Sequence, residues 1–466
     1  MFLDIDKFSR EQVAIIDESY QKVTYGELCD FTDEMKKLEL ERAIVFSLCE
    51  NSAGALAGII AFETLKVVPL LLSSHIEKEL LSALESIYTP SYYWVPESFE
   101  DKPAGEVLFQ KYGYWLIRTR NRGYKIHDKL SLLMTTSGST GSPKLVRYKY
   151  GNLEANAKNV AKAFGWTNKE RCIADLPLQY TMGLNVINSH LVVGATILLI
   201  KSNLMSMEFW DFIKKQRGTN FTGVPFSYEI MMKLRFTRMN LPDLYTLAEG
   251  GGKLTDELYV KLCAYAKEKG KRFCPTFGTT ETSARMAFCP PDMAAEKIGS
   301  IGKAIPGGEL FLLDDEGNEI SDIVAQGELG YRGPNVTMGY GICREDLEKG
   351  DEWQGEYHTG DIARRDEDGF YYIVGRKKRF LKLFGLRVSL DQCERLLKTD
   401  FDGEFACVGT DKKMTIYTTN QEAASKTPKY LSEKLNMNIL AFQARYIANI
   451  PKNDTGKTVY AKLPIE

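Results

Sequence analysis

The chain has 466 residues, 44% hydrophobic and 26% charged, with a formal net charge of −2. That length exceeds one ordinary domain, and the near-neutral charge excludes the basic surface that nucleic acid or an anionic membrane attracts. No apolar run reaches the roughly 18 uninterrupted residues of a membrane span.

The first residues, Met1-Phe2-Leu3-Asp4-Ile5-Asp6-Lys7, place acids where a signal peptide is apolar. Nine scattered cysteines form no Cys-x-x-Cys pair and read as reduced thiols, so a cytoplasmic location is expected. His75, His127, His190 and His358 are too far apart in sequence to suggest a histidine metal site. Up to about residue 310, β-type runs at 43–48, 67–72, 132–135, 195–200 and 221–224 alternate with helical patterns such as 150–164 and 256–269. Such alternation predicts parallel sheets covered by helices. From Gly307 to Tyr372 the texture changes to short β runs at 309–313, 327–332 and 370–374. Turns such as Asp315-Glu316-Gly317-Asn318 and Asp366-Glu367-Asp368-Gly369 separate them, which predicts a small antiparallel, barrel-like subdomain. The basic run Arg376-Lys377-Lys378-Arg379 then leads into a small α+β domain.

Five segments carry chemistry. Thr135-Thr136-Ser137-Gly138-Ser139-Thr140-Gly141-Ser142-Pro143-Lys144 comes after a strand end and suits a polyphosphate. Glycines let backbone N–H groups turn toward a ligand, hydroxyls add donors and the lysine adds charge. It is not the ordinary P-loop, because Pro143 precedes the lysine and Leu145, with no oxygen for a metal, comes after it. Phe277-Gly278-Thr279-Thr280-Glu281 offers one carboxylate among hydroxyls, suited to a magnesium-bound triphosphate or equally to capping a helix. Gly250-Gly251-Gly252 lets a flat ring lie on the backbone, or makes a plain turn. Tyr357-His358-Thr359-Gly360-Asp361 places an Asp that caps a turn or accepts from ribose hydroxyls. Asn453-Asp454-Thr455-Gly456-Lys457 sets a lysine behind a glycine turn near the end.

In combination, the order and spacing of these segments resemble the adenylate-forming superfamily of acyl-CoA synthetases, nonribosomal-peptide adenylation domains and beetle luciferases. The resemblance runs from Val23-Thr24-Tyr25-Gly26-Glu27-Leu28 to Lys457. With the element pattern it implies an α/β fold: a large N-terminal domain of two helix-covered, mostly parallel sheets plus a small distorted β-barrel (1–375), a hinge (376–378) and a smaller mobile α+β domain (379–466). It implies ATP-dependent activation of a carboxylic acid to an acyl-adenylate, with pyrophosphate released, then transfer to a thiol.

By the same resemblance, Thr136, Ser137, Gly138, Ser139, Thr140, Gly141 and Lys144 cradle the β- and γ-phosphates. Glu281 holds magnesium with help from Thr140. Gly250, Gly251, Gly252 and the backbone around Phe277, Gly278, Thr279 and Thr280 sandwich adenine. Asp361 binds the ribose hydroxyls, with Arg376 assisting. Lys457 reaches the carboxylate and the α-phosphate, Lys378 occupies the hinge, and Gly385-Leu386-Arg387-Val388 enters for the second half-reaction. Lys457, Glu281 and Lys144 are the expected catalytic residues.

The chain departs from its relatives at Leu145, Tyr150 and Tyr180, where Gly, His and His are frequent, which bears on the acyl pocket. Gln179, Tyr180, Met182, Asn185, Phe226 and Tyr228 are the residues expected to face a small or medium acid, or equally to serve as core packing. Amino-acid-activating members carry an Asp in the 179–182 region to pair with the α-amine, and none is present, so amino acids are disfavoured. The alternative is an amino-acid adenylating enzyme that loads a separate carrier protein. No carrier domain comes after Lys457, so the thiol is expected from outside, coenzyme A being favoured over a carrier protein. Neither nucleic acid nor membrane is expected as a partner.

Overall fold

Ile44-Val45-Phe46-Ser47-Leu48-Cys49 shows no polar–apolar alternation, and the strand it forms is buried along its whole length. Strands covered on both faces read this way. Ile44–Cys49 pairs in parallel with Val68–Ser73 on one side and Tyr92–Pro96 on the other. Around this trio an eight-stranded sheet runs in the order Tyr340–Gly341, Leu145–Lys149, Leu130–Thr135, Val68–Ser73, Ile44–Cys49, Tyr92–Pro96, Tyr114–Arg118 and Glu106–Lys111. The helix Ala53–Leu65 starts at Ser52, whose hydroxyl accepts from the Ala55 N–H, and is buried from Ala53 to Glu63. At Gly58 a Cβ would stand 2.2 Å from Trp94 Nε1, so glycine is what lets helix and strand meet. Trp94 in turn packs on Phe31, Phe62 and Tyr114.

The structure is a computed structural model and describes residues 1–135, 144–383, 386–452, 456 and 458–464. It divides into two compact units. The first holds the described residues up to 309 together with 331–357, and the second holds 310–330 and the described residues from 358 onward.

The first unit also contains a nine-stranded sheet. Its order is Lys303–Ala304, Ala287–Phe288, Arg272–Phe277, Thr246–Glu249, Asn220–Gly223, Arg171–Ala174, Thr196–Leu199, Val13–Asp17 and Lys22–Thr24. Its middle is parallel, with Thr246–Glu249 paired to Asn220–Gly223 and to Arg272–Phe277. The helices Asn152–Phe164 and Thr181–Leu191 pack on each other, and every residue of the second is buried. A helix buried all round belongs to an interior layer. The strands and helices expected from the sequence in this unit are found within about two residues of their expected ends.

The second unit holds a four-stranded sheet in the order Glu309–Leu313, Ala325–Arg332, Glu356–Arg365, Tyr371–Arg376, the last two antiparallel. The expected small barrel is not closed among the described residues. Four strands are too few for closure. A side chain links the two edges instead, Tyr371 Oη donating to the Leu310 carbonyl at 2.8 Å. The α+β portion comes next as Phe405–Thr410, Lys413–Thr418 and Phe442–Tyr446 with the helices Leu390–Asp400 and Gln421–Leu435. Cys393, Leu397, Cys407, Ile416 and Leu431 fill its core. Arg379 is fixed by Asp391 and Glu394, the latter at 2.6 Å, and stacks on Tyr460 with Cζ 3.6 Å from the ring centroid.

The division by packing falls earlier in the chain than the 376–378 hinge. The strand Ala325–Arg332 lies between Glu309–Leu313 and Glu356–Arg365 in one sheet, so 310–330 groups with the residues from 358 onward. All nine cysteines are free, and no described helix is long and apolar enough to cross a membrane.

Candidate active site

The strand Arg272–Phe277 delivers the Gly-Thr-Thr-Glu segment at its C-terminal end, where parallel strands present ligand-binding loops. The chain turns there into the short 3₁₀ helix Thr280–Thr282, with Thr279 and Thr282 capping reciprocally. The turn is tied down on three sides. Tyr148 Oη donates to the Thr280 carbonyl at 2.7 Å, Thr181 Oγ1 donates to Thr280 Oγ1 at 3.1 Å, and the Thr337 N–H donates to the Glu281 carbonyl at 3.0 Å. Ser283 Oγ adds a bond to the Asn335 carbonyl at 2.9 Å.

Glu281 does not cap a helix. Its Oε1 accepts from Tyr340 Oη at 2.7 Å. Burial, and then the negative charge of Glu281, hold the Tyr340 phenol above its ordinary range, so it stays a donor at neutral pH. Lys144 Nζ lies 5.3 Å from the centroid of the same ring. Tyr340 therefore brings together Glu281 and Lys144, the carboxylate and the lysine of two of the expected ligand segments. Its own ring is set edge-on to Trp353 at 5.0 Å, and Trp353 meets Tyr357 at 4.8 Å.

Gly250-Gly251-Gly252 comes directly after the strand Thr246–Glu249, with Gly251 at φ +82°. A Cβ on Gly250 would stand 2.7 Å from Met182 Cε and from Thr276 Oγ1, and one on Gly251 would stand 2.7 Å from Tyr180 Oη. Two of the expected acid-facing residues thus converge on the glycine run. The others part company. Gln179 is half-buried, and Asn185 is buried one turn beyond Thr181. Tyr228 is fully buried with its hydroxyl given to the Ala248 carbonyl at 2.7 Å, and Phe226 is 51% exposed.

In the second unit Asp361 lies inside the strand Glu356–Arg365, directly opposite Arg376, rather than at a turn. Gly360, at φ +72°, and a register shift after Ile362 absorb the kink that reads as a turn in the sequence. Arg376 Nε is 3.2 Å from Asp361 Oδ1, and Asp361 is 6% exposed. Thr359 Oγ1 accepts from the Asp361 N–H at 3.0 Å and donates to the Leu329 carbonyl at 2.8 Å. The backbone at Lys378 forms part of the 3₁₀ turn Lys377–Arg379. Residues 136–141, with Thr136, Ser137, Gly138, Ser139, Thr140 and Gly141, lie outside the described residues, as do Gly385 and Lys457.

Three residues escaped the sequence reading. Tyr340 ends Thr337-Met338-Gly339-Tyr340, a Gly-aromatic pair with no charge to draw attention. Glu249 is buried with Oε1 unpartnered, and burial raises its carboxyl well above the usual range. Arg285 is a lone cation in the apolar run Ala284-Arg285-Met286-Ala287-Phe288, a signal the sequence does carry.

A family model described as AMP-binding enzyme matches residues 70–341, more than half of the chain. The chain belongs to the AMP-binding enzyme family. Among curated relatives, this AMP-binding enzyme is 29% identical over 345 residues to an oxalate–CoA ligase of Arabidopsis thaliana, covering 71% of this chain and 66% of that one. It is 26% identical over 354 residues to a 2-succinylbenzoate–CoA ligase of Staphylococcus epidermidis, covering 74% and 72%. In fold it is similar to the O-succinylbenzoate coenzyme A synthetase MenE of Bacillus subtilis in complex with AMP. The TM-score is 0.80 at 21% identity, with 99% of this chain and 97% of that one covered. It is also similar to ATP-bound MatB of Rhodopseudomonas palustris, with a TM-score of 0.76 at 20% identity and coverage of 99% and 98%. Another MenE structure carries ATP and a magnesium ion.

Tyr340→Phe in this AMP-binding enzyme keeps the ring beside Lys144 and removes the donor to Glu281. A hydrogen bond to a charged group is worth about 1.5 kcal/mol. Magnesium-dependent ATP binding, read by calorimetry, should weaken roughly tenfold while magnesium-free binding changes less than about twofold. Equal weakening in both would mean that Tyr340 does not orient Glu281 for a cation.

Proposed function

We propose that this AMP-binding enzyme activates a small carboxylic acid with ATP and passes the acyl group to coenzyme A. In the first step a carboxylate oxygen forms a bond to the α-phosphorus, the bond from that phosphorus to the β-phosphate oxygen breaks, and pyrophosphate leaves. In the second step the thiol sulfur bonds the acyl carbon, AMP leaves, and the thiol proton passes to solvent. The observation that carries the reading is the Glu281–Tyr340–Lys144 arrangement at the end of Arg272–Phe277, within the region the family model matches.

The donor set suits magnesium: a carboxylate held at one oxygen by a phenol, beside hydroxyls. Glu281 is assigned to hold it, with Thr140, and the ion supplies charge to offset the phosphates. Lys144 serves the outgoing pyrophosphate, with Thr136, Ser137, Gly138, Ser139, Thr140 and Gly141. The glycine run and the 277–280 backbone serve adenine. Asp361 accepts from the ribose hydroxyls, and Arg376, already paired to it, orients the carboxylate. Lys457 serves the carboxylate and α-phosphate. Both reactants are anionic, so preorganised positive groups supply the main effect. A reduced, cytoplasmic enzyme fits nine free cysteines.

The test is pyrophosphate release from purified protein, ATP and magnesium, screened over carboxylic acids and amino acids, then repeated with coenzyme A. Release with simple acids and thioester formation with coenzyme A are expected. Release with amino acids alone would overturn the reading in favour of a carrier-protein loader.

Residues 376–378 are proposed as a hinge between the two half-reactions, which separates 1–375 from 379–466. Lys378→Pro fixes φ and removes a donor. One half-reaction should survive in this variant and the other should fall at least about tenfold, a loss of about 1.4 kcal/mol in barrier terms. Equal loss of both, measured separately, would count against the hinge.

A further inference from the structure

Arg285 lies four residues past Glu281 and is 1% exposed. Its Nη1 donates to Asn185 Oδ1 at 3.0 Å and its Nη2 to Thr222 Oγ1 at 3.0 Å. Both acceptors are neutral. Nε finds no acceptor, and among the described residues the guanidinium makes no ion pair. The groups that act on it electrostatically are the thiols of Cys172 and Cys274 and the phenol of Tyr228. Burial pulls its pKa down to about 10, which leaves it cationic at neutral pH. Phe164 faces it with Cζ 5.1 Å from the ring centroid, a partial offset. A buried cation without a counter-ion is costly, and folded proteins pair such charges or use them.

The surroundings hold this cation still. Asn156 Nδ2 donates to the Arg285 carbonyl at 2.7 Å, while Asn156 Oδ1 accepts from Asn185 Nδ2. Asn185, the acceptor for Nη1, is therefore fixed in turn. It stands one turn along the buried helix Thr181–Leu191 from Thr181, whose hydroxyl reaches Thr280, and near Met182, which abuts Gly250. Through Asn185 the guanidinium is thus tied to the helix that carries Thr181 and Met182, one helical turn, about 5 Å, along it from Thr181.

The geometry points to Arg285 as the residue that receives the second carboxylate of a short dicarboxylic acid, the first carboxylate being the one activated. This deepens the acid-activation reading and rests on it. The Nε–H and Nη2–H edge suits a carboxylate side-on, and neutral Asn185 and Thr222 hold the plane without neutralising it. A monocarboxylic acid of equal length leaves the cation unpaired and sets a methyl group against it, which a site built for hydrogen bonding rejects. Packing alone would make Arg285 indifferent to the far end of the acid.

The experiment compares kcat/KM for pyrophosphate release with matched pairs: malonate and propionate, succinate and butyrate, glutarate and valerate. At the best chain length the unaltered enzyme should prefer the diacid by roughly 100-fold. Arg285→Leu should bring that ratio to within about threefold of unity, chiefly through KM for the diacid. Arg285→Lys should keep an intermediate preference, because the charge remains and the fork is lost. Loss of both activities in proportion, with the ratio preserved, would overturn the inference, as would equal use of both acids by the unaltered enzyme. In either case the activation reading stands. Should Arg285→Leu fail to fold, the unaltered ratio and the Lys variant decide. If no acid of either kind releases pyrophosphate, the activation reading fails and this inference with it.

Discussion

Lys457→Ala should form acyl-adenylate about 10²–10³-fold more slowly than the unaltered enzyme, and should still convert a supplied acyl-adenylate to thioester. Loss of one preorganised contact at developing charge costs about 3–4 kcal/mol, which sets the first figure. The second rests on the division of labour proposed for the two lysines. Lys144 sits beside Tyr340 and Glu281 in the first unit and is assigned to the outgoing pyrophosphate. Lys457 is assigned to the carboxylate and α-phosphate, where charge changes during adenylation and not during thiol attack. ATP should therefore bind the variant within about threefold of normal, since a contact made in the transition state contributes little to the ground state. Measuring both half-reactions on the purified variant decides the matter. Thioester formation that falls as far as adenylation would remove Lys457 from the role proposed for it.

Much of the first unit is legible in the sequence because its elements are driven locally. Ile44–Cys49, broken only by Ser47, and Val68–Ser73 announce themselves as mostly apolar runs, and Asn152–Phe164 as a 3.6-residue pattern closed by Gly165 at φ +69°. The positions of Gly250-Gly251-Gly252 and of Phe277–Glu281 at strand ends are legible as well, because Gly and Thr clusters mark such ends. What the sequence hides is pairing at a distance. Nothing local in 357–361 says that Asp361 will stand opposite Arg376 within a strand, since that depends on the register between two segments. The same holds for the open sheet. Short β runs foretell strands, whereas closure depends on edge pairing between Glu309–Leu313 and Tyr371–Arg376, which did not form. Tyr340 is 59 residues from the carboxylate it orients, and as a lone phenol it carries no spacing signal. Arg285 is different. A single cation inside an apolar run is readable as costly burial, yet its neutral partners come from two other elements, Thr181–Leu191 and Asn220–Gly223. Tyr228 and Phe226 show the converse. Both are bulky residues on the helix Pro225–Lys233, and the backbone turns one wholly into the core and the other out to solvent.

Gly278→Ala should abolish adenylation to below about 1% of normal and destabilise the first unit by roughly 2–3 kcal/mol, an overpacking cost of the usual size. The reason lies in what a methyl group would meet. A Cβ at Gly278 would stand 1.3 Å from the Ala284 carbonyl oxygen and 2.8 Å from Arg285 Cα. These are backbone atoms and cannot swing aside. They are also pinned, because the Ala284 N–H donates to the Thr279 carbonyl at 3.0 Å and the Met286 N–H to the Phe277 carbonyl at 2.9 Å. Displacing them moves Glu281 at one end of the turn and Arg285 at the other. Misplacement by about 1 Å is enough to cost roughly 100-fold in rate when reacting groups must be aligned. Gly250→Ala supplies the comparison. Its Cβ meets Met182 Cε and Thr276 Oγ1, both at 2.7 Å; these are side-chain atoms, the methionine flexible and the threonine hydroxyl bonded to the Glu249 carbonyl, rather than pinned backbone. That variant should keep more than about 10% of activity and lose less than about 1.5 kcal/mol, the usual bound for a change that neighbours can absorb. Thermal melts and pyrophosphate-release rates on the two variants side by side test the contrast. Equal behaviour of the two, or a Gly278→Ala protein with normal rate and melting, would mean that the Ala284 carbonyl does not close over Gly278.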